Sequence, residues 1–393
     1  MKEIVIVSAV RTAVGRYGGS LKGINSGQLA SIVIKEALIR ANIEAHQVDE
    51  VILGEVRQST ESSNVARVAA LRAGVPEEVP AYTINRLCAS GMQAIVSAAQ
   101  QISTGHADIV VAGGTESMSN APIYLRNSRF GGDMTKLVDS NTEAGQQPTE
   151  IYGTGLGMGI TAENVAQRYG ISRSDQDAFA IESQRRAANA QKEKKFEQEI
   201  VPIKMKEKRN TYLFEKDEHP RPETTIEMLN KLRPVFKENG TVTAGNACGR
   251  NDGAAAMVLT SSQHAKSLGV KPIAKIIDWC TVGVSPEVMG IGPVPAVKKL
   301  LARTGFIIED IDLIELNEAF SAQALAVIRE LHLNIEKVNV NGGAIALGHP
   351  LGATGARIVT TLIYELAKRE GKRGIATLCI GGGQGMAIMV ERL

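Results

Sequence analysis

The sequence predicts an α/β architecture, because strand-like and helix-like segments alternate along most of its length. A strand-like run at residues 4–7 precedes helical apolar spacing over 29–41, and a second strand-like run follows at 51–53. Residues 108–112 form a short, continuous apolar run, which is typical of a strand buried on both faces of a mainly parallel sheet. We therefore expect a buried sheet covered by helices.

The second half of the chain repeats this plan. In the first half, Cys88-Ala-Ser-Gly precedes a helical stretch, a strand and a glycine pair. In the second, a short predicted strand leads to His349-Pro-Leu-Gly, which precedes a helical stretch over 353–368, a strand over 374–380 and a glycine run from Gly381. This weak internal repeat predicts two similar halves that place two helix N-termini at one shared site.

The chain divides into three predicted parts: an N-terminal half over 1–119, completed by about 243–270, an inserted loop lobe over 120–242, and a C-terminal half over 271–393. The lobe is polar, charged and poor in strand signals. Within it, residues 130–159 are predicted to form a long loop and 172–196 an exposed helix. An insertion of this length is a candidate for substrate contact.

Charge and cysteine content argue against several classes of function. The 44 basic residues nearly balance the 42 acidic ones, which does not favour nucleic acid or a membrane surface as a partner. Cys88, Cys248, Cys280 and Cys379 are far apart, so neither a disulfide framework nor a metal site is predicted. No apolar run approaches the ~18 residues that span a bilayer. We expect a cytoplasmic protein.

Cys88 and His349 are the first candidates for chemistry. Cys88 precedes a helix with one apolar face, and the positive end of a helix dipole predicts a lowered thiol pKa. A buried cysteine that only fills space is the alternative. His349 lies in a glycine-rich loop before a helix and is the candidate base, because its pKa is near neutral. The alternative is a structural histidine.

Two further candidates follow predicted strands. Cys379-Ile-Gly-Gly-Gly ends a buried strand, and consecutive glycines there can present N–H groups to an oxyanion. A tight turn with an inert cysteine is the alternative. Asn317 follows a strand-like run over 313–316 and can donate to an oxyanion. It can also serve as the N-cap of the following helix.

Together these segments resemble the thiolase family, and the resemblance covers essentially the whole chain. The motifs stand in the family's order and are Ser8-Ala-Val-Arg-Thr, Cys88-Ala-Ser-Gly, Gly113-Gly-Thr-Glu-Ser-Met-Ser, Thr243-Ala-Gly-Asn, Asn317-Glu-Ala-Phe, Gly348-His-Pro-Leu-Gly-Ala and Cys379-Ile-Gly-Gly-Gly. The resemblance implies two stacked βαβαβαββ halves in five αβαβα layers with an inserted loop lobe, assembled as a homotetramer, a dimer of dimers. It also implies acyl-CoA and CoA as partners, CoA as co-substrate, and no permanently bound cofactor or metal.

The resemblance also implies a role for each candidate residue. Cys88 would be the acylated nucleophile, with His349 taking its proton, and Cys379 would be the acid/base at the α-carbon of the second thioester. Two oxyanion holes are implied. Asn317, through a water, and His349 would stabilise an enolate oxygen, while the backbone N–H groups of Cys88 and Gly381 would stabilise the tetrahedral oxygen.

By the same resemblance, the central lobe binds CoA. Arg221 matches a family position near the adenine, and Phe236 and Ala244 match positions along the pantetheine. Phe320, next to Ala319 in the Asn-Glu-Ala-Phe motif, would line the acyl pocket.

The sequence departs from the family's pattern around the substrate. Many acetoacetyl-CoA-making thiolases close the acyl pocket with a Tyr-His-Met-Gly segment, whereas Gly157 precedes Met158 here and leaves room. Cys248 stands where a serine near the pantetheine is common, and a thiol is a weaker hydrogen-bond partner. Residues 133–154 match the family poorly.

The expected activity is that of an acetyl-CoA C-acetyltransferase, which condenses two acetyl-CoA to acetoacetyl-CoA and CoA through an acyl-Cys88 intermediate. A degradative 3-ketoacyl-CoA thiolase of broader chain length is the alternative, motivated by Gly157. A decarboxylating condensing enzyme of the same fold and a cysteine hydrolase are less favoured, because neither explains Cys379. A non-catalytic acyl-CoA-binding protein is a minor alternative, because Cys88, His349 and Cys379 are all present.

Overall fold

The computed structural model describes residues 2–132, 135–143, 145–207 and 210–393. Its strands are β1 (Ile4–Thr12), β2 (Gly15–Arg16), β3 (Glu50–Gly54), β4 (Ala81–Ile84), β5 (Ile109–Ser117), β6 (Ile123–Leu125), β7 (Leu137–Asp139), β8 (Ile200–Val201), β9 (Ile203–Glu207), β10 (Asn210–Phe214), β11 (Asn251–Ser261), β12 (Ala274–Gly283), β13 (Leu313–Leu316), β14 (Arg373–Ile380) and β15 (Gln384–Arg392). Its α-helices are α1 (Ser26–Ala41), α2 (Val65–Ala73), α3 (Ser90–Thr104), α4 (Thr149–Tyr152), α5 (Met158–Arg168), α6 (Arg173–Lys192), α7 (Ile226–Asn230), α8 (Ser262–Leu268), α9 (Pro293–Thr304), α10 (Ser321–Glu330), α11 (Ala344–Leu347) and α12 (Leu351–Lys368).

The main strands form two related groups that share one continuous hydrogen-bonded path, β13-β14-β15-β12-β1-β11-β5-β3-β4. The first group follows the order β1-α1-β3-α2-β4-α3-β5-β11, which is the expected βαβαβαββ plan. The second follows β12-α9-β13-α10-α12-β14-β15. The groups meet where β1 pairs with β12 at two positions, Val5 with Lys275 and Ile6 with Ala274.

The strand predicted before the His349 loop is reduced to a single bridge between Ile314 and Val338. At Asn339 the backbone turns to a φ of +45°. The Asn339 side chain then takes the place of a strand partner, because it accepts from the Leu316 N–H (2.8 Å) and donates to the Leu316 carbonyl (2.7 Å). A side-chain amide therefore ends the ladder where the sequence pattern predicted a strand.

Three apolar cores separate the layers. The outer core of the N-terminal group lies under α1 and α2, and that of the C-terminal group lies under α9 and α10. The third core contains α3, α12 and the inward faces of both strand groups. This arrangement confirms the expected αβαβα layering, with α3 and α12 as the central layer.

The first turns of α3 and α12 are in backbone contact. A Cβ atom on Gly114 would lie 2.0 Å from the Gly352 carbonyl oxygen, and one on Gly91 would lie 2.7 Å from the same atom. A Cβ atom on Gly355 would lie 2.4 Å from the Met92 nitrogen. Because only glycine permits this approach, the segments that precede both helices converge on one point.

The middle of the chain is more ordered than the sequence pattern predicts. Helix α6 begins and ends within the predicted range, but one of its sides is buried through residues such as Asp177, Ala180 and Ser183. This side is built from small and hydrogen-bonded polar residues, so it gives little apolar signal. The predicted loop contains β7 and α4, while Asp133, Met134 and Ala144 lie outside the described residues. In the described ranges, no helix has the length and apolar character needed to cross a membrane.

Gly114→Ala should lower the free energy of unfolding by roughly 3 kcal/mol, or prevent folding, because its methyl group would overlap the Gly352 carbonyl. Urea denaturation followed by circular dichroism measures this. Gly23→Ala is the matched control, since a Cβ atom there meets no atom within 4 Å. Equal stability of the two variants would contradict the proposed role of the backbone contact.

Candidate active site

Cys88 lies in a tight turn between β4 and α3. Leu87 has a φ of +47°, and its N–H donates to the Asn85 side chain at 2.9 Å. The Ser90 hydroxyl donates to the Leu87 carbonyl at 2.6 Å and accepts from the Arg86 N–H at 2.9 Å. These polar contacts fix the Cys88 backbone just before the first residue of α3.

The prediction of a lowered pKa for Cys88 is wrong. Part of the side chain reaches the surface, yet burial raises the pKa of its thiol. The backbone N–H groups of Gly381 and of Cys88 itself oppose this rise, as does the charge of Arg57, while Glu116 adds to it. Burial outweighs the local effect of the helix terminus, so the resting group is a thiol.

The backbone around His349 is held by Asn251. The Asn251 carboxamide accepts from the His349 N–H at 2.9 Å. It lies so close to Gly348 that a Cβ atom there would come within 2.4 Å of it. Gly348 also has a φ of +97°, so both space and backbone conformation require glycine.

The hydrogen bonds of Thr354 determine which nitrogen of His349 carries a proton. The Thr354 hydroxyl donates to the Pro350 carbonyl at 2.8 Å, so at 2.6 Å it must accept from Nδ1 of His349. Nε2 is then left unprotonated and is the acceptor nitrogen of the ring. Burial, and next the charge of Arg357, lower the pKa of His349 to about 3, so the imidazole is neutral.

Asn317 faces the free nitrogen of His349, with 3.5 Å between Asn317 Nδ2 and His349 Nε2. The Asn317 backbone N–H donates to the Thr377 carbonyl at 3.0 Å, which fixes it at the end of β13. Its Oδ1 atom is buried and has no partner among the described residues. The N-cap position of α10 is Phe320, so the alternative N-cap role for Asn317 is wrong.

Cys379 is buried near the end of β14, with only 1% of its surface exposed. It packs in a small apolar cluster with Met158, Met289 and Phe320. Burial raises the pKa of its thiol well above the ordinary value, and the neighbouring thiols Cys88 and then Cys248 raise it further. Three thiols therefore lie close enough to influence one another electrostatically.

Gly381 begins the turn between β14 and β15. The Gln146 carboxamide lies directly against it, since a Cβ atom on Gly381 would come within 2.1 Å of Gln146 Oε1. The backbone N–H groups of Gly381 and Cys88 both lower the pKa of the Cys88 thiol, because they favour its negatively charged form. Donors of this kind are what a developing oxyanion beside Cys88 would require.

The aromatic residues of the predicted pocket are joined to the same cluster. The Phe236 and Phe320 rings meet edge to face, with centroids 6.3 Å apart. A Cβ atom on Gly159 would overlap the Phe236 ring at 2.1 Å. The Cys248 N–H donates to the Ala319 carbonyl at 3.0 Å. Burial, followed by the nearby Cys88, raises the pKa of Cys248 to about 12.

Two predicted ligand contacts lie outside this cluster. Arg221 and Ala244 are exposed, and the Arg221 N–H donates to Gln184 of α6 at 2.8 Å. The loop that leads to Ala244 is held by Glu163 of α5, whose carboxylate accepts from the N–H groups of Thr241 and Val242. The segment that leads to Ala244 is therefore tied to the helix that begins at Met158.

Sequence reasoning missed three residues that build the site. Thr354 sets the protonated nitrogen of His349, Asn251 holds its backbone, and Met289 packs against Cys379. Thr354 had one available signal, its position in the first turn of the helix after His349. Asn251 and Met289 reach the site through distant parts of the chain, so no local pattern pointed to them.

Comparison with known proteins agrees with this geometry. The family model of the thiolase N-terminal domain matches residues 4–263, and that of the thiolase C-terminal domain matches 270–392. The acetyl-CoA acetyltransferase of Syntrophomonas wolfei is 52% identical over 398 aligned residues, which cover 100% of both chains.

Solved structures of two other proteins are also similar to this chain in fold and in sequence. The Bacillus anthracis acetyl-CoA acetyltransferase has a TM-score of 0.97 and 48% identity, covering 100% of this chain and 99% of that one. Human mitochondrial 3-ketoacyl-CoA thiolase in complex with CoA has a TM-score of 0.94 and 44% identity, covering 100% of this chain and 98% of the other. These matches confirm the predicted fold.

Thr354→Val should lower the turnover of acetoacetyl-CoA with CoA on the order of 100-fold. Without the hydroxyl, Nδ1 loses its acceptor and the imidazole is no longer held with Nε2 free. Thr354→Ser keeps the hydroxyl and should remain within a few-fold of the natural enzyme. Steady-state kinetics compare the two, and equal losses in both variants would contradict the proposed role.

Proposed function

The chain belongs to the thiolase family, and we propose that it is an acetyl-CoA C-acetyltransferase. The reaction is the reversible condensation of two acetyl-CoA to acetoacetyl-CoA and CoA. The observation that carries this proposal is the convergence of Cys88, Cys379 and the Asn317–His349 pair where α3 and α12 meet. The name of the S. wolfei relative supports the choice of acetyl as the acyl group.

The first step forms the acyl-enzyme. The Cys88 sulfur attacks the thioester carbonyl while Nε2 of His349 takes its proton, because that nitrogen is the free acceptor. The N–H groups of Cys88 and Gly381 stabilise the tetrahedral oxygen. The bond between that carbon and the CoA sulfur then breaks, and the departing thiolate takes the proton of Cys379.

The second step forms the carbon–carbon bond. The Cys379 thiolate removes a proton from the α-carbon of a second acetyl-CoA, and its high pKa makes it a strong base. Asn317 and the protonated His349 stabilise the enolate oxygen. The enolate carbon attacks the acyl group, and the released Cys88 sulfur recovers its proton from His349. Thiolysis runs through the same steps in reverse.

The lobe over 120–242 is proposed to bind CoA, between an N-terminal half over 1–119, completed by about 243–270, and a C-terminal half over 271–393. We assign Arg221 to the adenine end and Phe236, Ala244 and Cys248 to the pantetheine. Contact of Phe236 with Phe320 supports this assignment, because it links the pantetheine path to the acyl pocket beside Cys379.

A broader 3-ketoacyl-CoA thiolase is the second candidate. Gly157 forms the N-cap of α5 beside Met158, and a Cβ atom there would meet no atom within 4 Å. This open space next to the apolar cluster leaves room for a longer acyl chain. Similarity to the human 3-ketoacyl-CoA thiolase supports the same possibility.

We place the enzyme in the cytoplasm and in fatty acid metabolism, as a homotetramer built as a dimer of dimers. A group of exposed apolar side chains in the lobe supports assembly, and its members are Ile123 (64% exposed), Phe130 (95%), Leu137 (69%) and Ile151 (70%). Light scattering of the purified protein measures the assembled mass, and a monomer would contradict this assignment.

Thiolysis by the purified enzyme tests the activity. Acetoacetyl-CoA and 3-ketohexanoyl-CoA are compared by the loss of 3-ketoacyl-CoA absorbance on addition of CoA, with Cys88→Ala as the blank. We expect acetoacetyl-CoA to be cleaved and Cys88→Ala to be inactive. Comparable or faster cleavage of the longer substrate would favour the broader thiolase, and no cleavage of either would overturn the proposal.

Gly157→Phe should reduce kcat/KM for 3-ketohexanoyl-CoA by about 10-fold or more while sparing acetoacetyl-CoA, because the new ring would fill the open space beside Met158. Gly155→Phe is the matched control, since Gly155 is exposed and also has no neighbour within 4 Å of a Cβ atom. An equal effect of both variants, or equal losses on both substrates, would exclude Gly157 as a wall of the acyl pocket.

A further inference from the structure

Glu116 is a buried carboxylate at the end of β5 that bonds to both halves of the molecule. On the N-terminal side it accepts from the backbone N–H groups of Val56 (3.1 Å) and Arg57 (2.9 Å), which follow β3. On the C-terminal side it accepts from the N–H of Gly352, in the first turn of α12, at 2.8 Å. The side chain has no exposed surface.

These contacts identify the charge state of Glu116. Both of its oxygens accept hydrogen bonds from N–H groups, which favours the ionised carboxylate. Its neighbour Glu55 is different, because Glu55 Oε2 is buried without a partner among the described residues. Burial, and next the charge of Glu116, raise the pKa of Glu55 to about 8. Burial also raises the pKa of Glu116, but its three N–H donors oppose that rise. Of the two carboxyl groups, Glu55 is therefore the one that holds the proton.

Glu116 is also placed to act on both catalytic segments. Gly352 follows His349-Pro350-Leu351, so the bond from its N–H anchors the helix turn that carries His349. A negative charge at a helix N-terminus is favourable, which strengthens this anchor. On the other side, the Val56 carbonyl accepts from the Asn85 side chain at 3.3 Å, which ties the segment bonded to Glu116 to the turn that carries Cys88. Glu116 raises the pKa of the Cys88 thiol and Arg57 lowers it, and both effects are smaller than that of burial.

We propose that Glu116 is a positioning residue for acyl transfer, which holds the His349 turn against the Cys88 turn and places a negative charge near the Cys88 sulfur. This proposal rests on the proposed thiolase function. The charged groups that act most strongly on Cys88 are Arg57 and Glu116, and the thiols of Cys248 and Cys379 are also close to it. Glu116 does not touch the reacting atoms, so its effects pass through His349 and Cys88.

If Glu116 only stabilised the fold, its substitution would have a different outcome. Loss of such a residue lowers stability and turnover but leaves the titration of Cys88 unchanged. Loss of a positioning carboxylate with its charge near Cys88 changes two properties at once. Turnover falls because the His349 turn loosens, and Cys88 ionises at lower pH because a nearby negative charge has been removed.

Glu116→Gln tests this distinction, with Glu55→Gln as the matched control. For each variant, kcat is measured with acetoacetyl-CoA and CoA. The rate of Cys88 alkylation by iodoacetamide is then followed against pH, with mass spectrometry separating Cys88 from Cys248 and Cys379. For Glu116→Gln we expect kcat to fall on the order of 10-fold to 100-fold and the alkylation midpoint of Cys88 to move to lower pH. Glu55→Gln should match the natural enzyme in both properties below about pH 7, because Glu55 is already protonated there.

The proposal is overturned if Glu116→Gln keeps normal turnover, if turnover falls without a shift of the alkylation midpoint, or if Glu55→Gln has the same effects. Should Glu116→Gln not fold, Glu116→Asp decides the question, because it keeps the charge and shortens the reach. That variant should lose turnover and retain the natural midpoint. If the natural enzyme itself proves inactive on acyl-CoA, the proposed function fails, whereas the alkylation midpoint still tests the influence of Glu116 on Cys88.

Discussion

Direct contact between the backbones of α3 and α12 is the constraint on which the site depends. Packed helices ordinarily lie about 8–10 Å apart because side chains separate them. Here Gly91 of α3, and Gly114 of the adjacent strand β5, meet Gly352 of α12 without an intervening side chain. The turns before the two helices carry Cys88 and His349, so they are brought together by the same contact. A larger residue at this crossing would move Cys88 and His349 apart, even if each turn kept its own structure.

Dry surroundings then determine the resting state of the site. Burial favours the uncharged form of every reacting group, so Cys88 and Cys379 are thiols and His349 is a neutral imidazole. Charge appears only when a proton moves during turnover. In such an environment, fixed donors such as the Gly381 N–H act far more strongly on a developing oxyanion than they would in water. The reacting groups are therefore uncharged at rest, while the fixed donors needed for catalysis are already in place.

The sequence predicted what depends on local pattern. Periodicity predicted strands and helices in both halves, such as the helix over 353–368, which the structure has at Leu351–Lys368. The pKa of Cys88 was mispredicted because a helix terminus is a local feature, whereas burial depends on how distant segments pack. The role of Glu116 could not be predicted for the same reason, because it depends on a bond from Gly352, which is distant in the sequence. The strand predicted before His349 is absent because the Asn339 side chain bonds to Leu316 in place of a strand partner. Sequence periodicity does not show such a contact.

The repeated βαβαβαββ plan carries a consequence for how such an enzyme arises. In the proposed mechanism, one half supplies the nucleophile Cys88, and the other supplies His349, Asn317 and Cys379. Two identical copies of either half, assembled side by side, would present two nucleophiles or two bases at the shared centre, but never one of each. Within a single chain the two halves can differ in sequence, so unlike partners always meet. A heterodimer needs an interface that rejects pairs of identical subunits. Covalent linkage of the two halves makes such an interface unnecessary.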